Sequence, residues 1–333
     1  MTAHVITLKD APKLAGLQFR SFEGDSDYPK MVKILSDAAK ADRVDDVFTL
    51  EDIRHDYSYL THSDPKNDML FAEVNGLTLA YARVDWHQEE DPNNRIYYVI
   101  FNIHPDARDK GIEAPMIHWC EARLREKAAS HPQDSARYFQ VSSNENKTSY
   151  IEVLKTLGYK PTRYFIEMSR SLESIPEADL PEGIDVRPAG KEDYRKIWDA
   201  SVEAFRDHWG FSEPKEEDYK SYESSKYFQP ELWQVAWHED EVVGSVMNYV
   251  DPDYNEKLNR KRGWTEEITT ARQWRRKGIA KALIVRSMHM HKANGMIEVG
   301  LGVDTQNPNG ALQLYQSLGY EKEHTFINFR KPM

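Results

Sequence analysis

The chain has 333 residues, of which 40% are apolar and 30% charged, and its net charge is −11. That length exceeds twice a typical domain of ~150 residues, so two domains are expected, and the composition is that of a globular chain, not a disordered one. The acidic charge argues against nucleic acid as a partner, no apolar run nears the ~18 residues of a membrane span, and the lone Cys120 excludes an internal disulfide framework.

No signal-like stretch precedes the first polar residues, so a cytoplasmic location is expected. Phe19-Arg20 followed by Asp27-Tyr28 reads as a strand entering a helix. FAEVNGLTLAYARV then alternates as a hairpin turning at Asn75-Gly76, a pair suited to a tight turn. Arg108-x-x-Gly111 opens a helix in which Met116, Ile117 and Cys120 recur on one apolar side, which makes Cys120 a buried, inert thiol. This half closes on Leu157-Gly158-Tyr159. The stretch SLESIPEADLPEG, from Ser171 to Gly183, is a proline- and acid-rich connector.

The second half repeats the first at nearly constant offset. Val186-Arg187 and Asp193-Tyr194 answer the first strand and helix, and VAWHEDEVVGSVMNYV, turning near Glu239-Asp240, answers the hairpin. Arg275-x-x-Gly278 answers Arg108-x-x-Gly111, and Leu318-Gly319-Tyr320 answers Leu157-Gly158-Tyr159. Four such pairs indicate an internal duplication. Each copy reads as strand, helix, two or three antiparallel strands, helix, strand, short helix and final strand. That is α+β, a twisted mixed and mostly antiparallel sheet with helices on both faces. The expected domains are 1–172 and 183–333.

The motif Arg275-x-x-Gly278-x-Ala280 carries the most chemistry. A helix N-terminus offers unpaired backbone N–H groups and the positive end of the dipole, and a glycine there lets an anion approach the backbone. Arg275, Arg276, Lys277 and Lys281 add cations that would oppose the dipole of a merely structural helix. The helix is expected from about Gly278 to Ala293, with Ile279, Leu283, Ile284 and Met288 as its inner stripe and Gly295 as its stop. Ile297, Val299, Leu301 and Val303 then alternate as a strand, and an Asn-Pro loop feeds a short helix carrying Tyr315.

These two segments together resemble the core motifs of the GNAT superfamily of acyl-CoA-dependent N-acetyltransferases. The duplication extends the resemblance over nearly the whole chain, as two tandem GNAT folds similar in layout to the mycothiol synthase group. The resemblance implies acetyl-CoA as co-substrate, with its diphosphate on Arg275, Arg276, Lys277, Gly278, Ile279, Ala280 and Lys281. It also implies pantetheine contacts from Ile268, Thr269 and Thr270, and contacts from Asn307, Gly310 and Tyr315. The strand after the motif helix splays from its neighbour in this family, and the glycines at 300 and 302 suit a close approach there or a bulge.

The copies differ at these positions. Glu113 stands where the second copy has Ala280, Asp109 where it has Arg276, and Leu154 where it has Tyr315. The N-terminal copy is therefore expected to be degenerate, with the C-terminal copy catalytic.

Acetyl transfer to an amine needs a polarised thioester, a neutral nitrogen and a proton for the leaving thiolate. The family attacks directly, and the chain has neither a Gly-x-Ser-x-Gly elbow nor an exposed cysteine. Tyr315 matches the family's proton-donating tyrosine. In Trp264–Thr270, alternation puts Glu266, Ile268 and Thr270 on one face, making Glu266 the candidate base; Glu267 points away unless a bulge reverses the two. The aromatic stretch Phe205–Phe211 and the strand with Asn248 and Tyr249 correspond to the family's acceptor side, so His208, Trp209 and Tyr249 are substrate-binding candidates. There, aromatic rings with His208 and Asp207 suit a cationic amine or a seam between domains. His289 and His291 are expected in solvent, and no metal-ligand spacing occurs. The functional expectation is an N-acetyltransferase for a small-molecule primary amine, acting as monomer or homodimer. The alternatives are a non-catalytic acyl-CoA-binding scaffold, a mycothiol-synthase-like enzyme or a protein N-acetyltransferase.

Overall fold

The computed structural model describes residues 4–333. Its first half contains β1 (Val5–Ile6), β2 (Leu17–Arg20), α1 (Tyr28–Asp42), α2 (Leu50–Ser58), α3 (Pro65–Asp68), β3 (Met69–Val74), β4 (Leu77–Gln88), β5 (Asn94–Ile103), α4 (Glu113–Ala128), β6 (Ala136–Asn144), α5 (Thr148–Thr156) and β7 (Lys160–Ser171). The second contains β8 (Asp185–Val186), α6 (Tyr194–Phe205), α7 (Glu216–Glu223), β9 (Gln234–His238), β10 (Glu241–Tyr249), α8 (Pro252–Lys257), β11 (Arg262–Thr270), α9 (Ile279–Ala293), β12 (Glu298–Asp304), α10 (Ala311–Ser317) and β13 (Glu321–Pro332). No helix among the described residues is long and apolar enough to cross a membrane.

Two compact units result, one of residues 1–164 with 326–333 and the other of residues 165–325. In the first, β1 to β6 are neighbours in chain order, antiparallel except for the parallel pair β5–β6. Its sheet is completed by the chain's C-terminal end, which lies antiparallel to β6 with Phe326 opposite Asn144 and Pro332 opposite Tyr138. The apolar face of α4 (Met116, Ile117, Cys120, Leu124) packs in one cluster with Val84, Tyr97, Phe139 and Phe329. Buried Arg330 pairs with buried Glu89 and donates to Gln140 Oε1 at 2.7 Å, so the terminal strand is anchored by charge as well as by its ladder.

The second unit runs β8-β9-β10-β11-β12 and is completed by Phe165–Ser171 of β7, antiparallel to β12. The stripe Ile279, Leu283, Ile284 and Met288 of α9 is buried as its periodicity requires, against Val243, Val246, Val299 and Leu301. On the other face Ile197 of α6 packs with Trp233, Val235, Trp237 and Met247.

The units are thus bounded differently from the expected 1–172 and 183–333. Each takes its last strand from the end of the other copy's sequence. A strand belongs to the sheet holding its hydrogen-bond partners, and alternation within the strand says nothing about which sheet that is.

One expectation is corrected outright. His289 is exposed, but His291 is fully buried, with Nε2 3.2 Å from the Trp264 carbonyl. It packs over Gly263, where a Cβ would lie 2.1 Å from the ring. Burial lowers its pKa to about 4, so it is a neutral core residue on the inner side of α9.

Candidate functional site

The site begins where β11 runs into α9. Gly278 caps α9 at φ 89°, no side chain caps the helix, and its first turn carries no acid. A Cβ on Gly278 would meet nothing within 4 Å, so the space over the first helical amides is open. These amides flank a cavity of about 340 Å³, within the range of about 300–1,000 Å³ of small-ligand sites. Ile268, Thr269, Thr270, Arg275, Arg276, Gly278, Ile279, Ala280, Lys281, Asn307, Tyr315 and His208 all line it. The Thr270 hydroxyl is buried there without a hydrogen-bond partner. Arg276 and Lys281 are partly or fully exposed beside it, leaving cationic heads free for an anion.

Three candidates sit differently from expectation. Lys277 does not line the cavity; its ammonium lies 4.3 Å from the Trp274 ring centroid. Gly310 caps α10 at φ 78° just outside the lining. The Arg275 guanidinium is held by Asp207, by Ala204 O at 3.0 Å and by Asn309 Oδ1 at 3.3 Å. It therefore shapes the turn instead of standing free. The lining also includes Trp274, Asn309, Ala311 and Leu314, which the sequence reading missed. Trp274 and Asn309 lie inside the two motif segments, and that adjacency was their available signal.

Opposite the helix N-terminus the sheet opens. The parallel pairing of β11 with β12 covers only Arg262–Trp264 against Glu298–Gly300. Beyond it the strands part, and Glu266 reaches across, its Oε1 accepting from Gly302 N at 2.9 Å. Antiparallel to β10, the register slips: Met247 faces Glu266 but Ser245 faces Thr269. The extra residue on β11 is a bulge, and Glu267 within it has φ 47°, a left-handed conformation that a long side chain rarely adopts.

The bulge settles the two glutamates. Simple alternation would point them to opposite faces; across the bulge the Glu267 carboxylate still acts on Glu266 and disfavours its ionisation. Burial first, then Glu267 and Glu167, push Glu266 up to about 8, against the hydrogen bond from Gly302. Glu267 keeps an open path to solvent, yet the surrounding protein pushes it up to about 7. Tyr315, 6% exposed, has its phenol pKa raised by burial and by Glu266, so it holds its proton throughout the neutral range. A proton acceptor with a raised pKa and a protonated phenol thus meet at the parted strands, an arrangement suited to moving protons at a reacting centre.

The acceptor candidates are dispersed. His208 lines the cavity, its ring 4.4 Å from Phe205 and its Nε2 3.5 Å from Asn307 Nδ2. Trp209 lies outside the lining, 6.3 Å from the Phe165 ring. Tyr249 also lies outside it, stacked 6.1 Å from Trp264 and edge-on to Tyr227 at 4.8 Å. Asp207 is not available to an amine, because Arg272 at 2.8 Å and Arg275 occupy it. Asn248 is fully buried, donating to Leu232 O and Ser287 Oγ, both at 2.9 Å. No group of three or more His, Cys, Asp or Glu residues able to hold a metal occurs among the described residues.

The matching turn of the first unit has the same backbone but not the same space. Asp109 and Gly111 are left-handed at φ 60° and 77°, as Arg276 and Gly278 are at 62° and 89°. There, however, Glu113 Oε1 accepts from Asp109 N at 3.1 Å, filling the turn with the protein's own carboxylate. Arg108 is tied to Asp42 by two bonds of 2.6 and 2.8 Å, and the remaining cavity is about 20 Å³.

Comparison with known proteins agrees with this geometry. Residues 194–320 match the acetyltransferase (GNAT) family. A mycothiol acetyltransferase of Geodermatophilus obscurus is 23% identical over 278 residues, covering 82% of this chain and 85% of its own. A GCN5-related N-acetyltransferase structure from Sphaerobacter thermophilus is 25% identical, with TM-score 0.75 over 98% of this chain and 97% of its own. A tandem GNAT protein from the clavulanic acid biosynthesis pathway shares the fold at TM-score 0.65 and 12% identity, over 95% of this chain and 98% of its own.

Proposed function

We propose, from the match of residues 194–320 to the acetyltransferase (GNAT) family, that the protein transfers an acetyl group from acetyl-CoA to a small-molecule primary amine by direct attack. One observation carries this reading: the open N-terminus of α9, Ile268–Thr270 at the end of β11 and Tyr315 of α10 line one cavity. When bound, acetyl-CoA supplies the activated acetyl group. The amides of Gly278–Lys281, with Arg276 and Lys281, hold its diphosphate, and the backbone of Ile268–Thr270 lies along its pantetheine arm. Arg275, fixed by Asp207, keeps the turn in shape. Glu266 takes the proton of the attacking ammonium, and Tyr315 gives one to the departing sulfur. The chain's one cysteine is fully buried and its thiol pKa raised by burial, which supports attack without an acyl-enzyme.

The first unit serves as structure only, because Glu113 occupies its turn. Relatives bear the name mycothiol acetyltransferase, so an acceptor of that kind belongs in any panel of amines. Titrating acetyl-CoA by calorimetry, then following free CoA release against primary amines, tests the reading. Binding followed by amine-dependent release supports it; binding without release on any amine would make the protein an acyl-CoA-binding scaffold.

A further inference from the structure

We propose that Asp207 is a positioning residue for acetyl-CoA: acting through Arg275, it holds the walls of the cavity in the arrangement that receives the ligand, so that its removal weakens binding. The inference rests on the acetyl-transfer reading above and adds a residue that itself lies outside the cavity lining.

The Arg275 guanidinium is where separate segments of the wall meet. It donates to Ala204 O near the end of α6 at 3.0 Å, to Thr270 O at the end of β11 at 3.3 Å, and to Asn309 Oδ1 in the loop before α10 at 3.3 Å. Ala204, Thr270, Arg275 and Asn309 all line the cavity. A rigid planar fork serves acceptors on three segments only in one orientation. The Asp207 carboxylate secures that orientation by pairing with Arg275. The same carboxylate accepts from Arg272 at 2.8 and 3.2 Å, so it clamps both ends of the segment leading from β11 into the turn. Arg272 and then Arg275 hold its carboxyl below the ordinary range, which keeps the clamp charged at neutral pH.

The first unit holds its own turn in the same way. Arg108 donates to Asp42, the last residue of α1, at 2.6 and 2.8 Å, and the residue after Arg108 is left-handed at φ 60°, as Arg276 is at 62°. Glu113 fills that turn, so the aspartate–arginine pair accompanies the shape of the turn even where a ligand has no room. The pair therefore serves geometry.

Charge alone gives the opposite sign. A carboxylate beside a diphosphate repels it and neutralises a cation, so an Asp207 without a positioning role would weaken binding, and its loss would free Arg275 and tighten it. If Asp207 pre-forms the cavity, its loss leaves the ligand to order the walls and affinity falls.

Calorimetric titration with acetyl-CoA and steady-state CoA release with an amine acceptor test this, each variant being measured below its own melting temperature. Asp207→Ala should raise Kd and KM for acetyl-CoA about tenfold while kcat at saturation stays within about threefold. Asp207→Asn, which keeps an acceptor for the guanidinium without the charge, should recover part of the loss. Arg275→Lys keeps a cation but not the fork; it should weaken binding similarly and add little to Asp207→Ala, since both remove one clamp. Equal or tighter binding by Asp207→Ala, or a fall in kcat with KM unchanged, would overturn the inference while leaving acetyl transfer intact. The expected losses in affinity with no CoA release on any amine would instead preserve the positioning role and overturn the transfer reading.

Discussion

In the proposed reaction Tyr315 and Glu266 act together but differ in what their substitution should reveal. Tyr315→Phe keeps the ring packed among Leu318, Tyr320 and their neighbours and removes only the proton donor. It should lower kcat by about 10²–10⁴-fold with acetyl-CoA affinity nearly unchanged, and full activity in that variant would mean that water supplies the proton. For Glu266 the signature lies in pH. As a base it must be ionised, so kcat should climb with pH through about 8, and Glu266→Gln should flatten that limb. Stability moves the other way. The folded state holds this proton up to about 8 whereas the ordinary carboxyl releases it near 4.5, so this glutamate's favourable contribution is complete below 4.5 and is lost as pH rises through 8. Thermal melting from pH 5 to 9 should therefore show a smaller decline for Glu266→Gln than for the parent protein.

At the scale of elements, β11 is the strand on which the site depends, and its two ends do opposite work. The N-terminal end pairs with β12 and carries Arg262, fully buried, with bonds to Glu323 at 2.7 and 2.8 Å, Glu298 at 3.0 Å and Glu167 at 3.2 Å. Burial alone would raise the Glu323 pKa, but Arg262 and Ser169 hold it down to about 2. Its contribution to stability is present above 4.5 and is lost as pH falls towards 2. Arg262→Met withdraws a buried guanidinium from three partly buried carboxylates, two of which keep Arg260 at 2.9 and 3.5 Å, and should cost about 3 kcal/mol in denaturant unfolding at neutral pH. The penalty should shrink at acid pH as the carboxylates protonate; a penalty independent of pH would assign the effect to packing. The C-terminal end of β11 still pairs with β10 through Thr269 and Thr270, but its β12 side is left open by the splay, and in the proposed reaction that side meets the ligand.

The whole molecule repeats one fold and gives only one copy an open turn. Calorimetry should accordingly find one acetyl-CoA per chain. Gly278→Glu should abolish binding by filling the turn as Glu113 fills the other, while Arg108→Ala should leave affinity unchanged and lower only stability. A stoichiometry of two would show that the first unit binds as well. Strand completion gives a second expectation. Removal of residues 326–333 withdraws Arg330 from buried Glu89 and a whole ladder from β6, so it should destabilise the first unit although the cut lies at the chain's far end. Hydrogen exchange should show lost protection in β6, and unchanged protection there would mean that the terminal strand is dispensable.

Much of this was legible in the residues themselves. The glycine turn with its cations, the stripe of α9 and the Asn-Pro loop are local patterns whose physics acts over a few residues, so their order alone pointed to the segments that line the cavity. The substitution of Glu113 for Ala280's counterpart likewise announced an occupied turn before any coordinate did. Three matters were decided only in three dimensions. Which sheet receives Phe165–Ser171 and Phe326–Pro332 depends on backbone partners distant in sequence. The left-handed backbone of Glu267 comes with a register slip against β10 that alternation cannot register. The roles of Arg275, Asp207 and His291 depend on neighbours brought up by folding, since a charged or titratable side chain reads the same in a sequence whether it waits for a ligand or already has a partner.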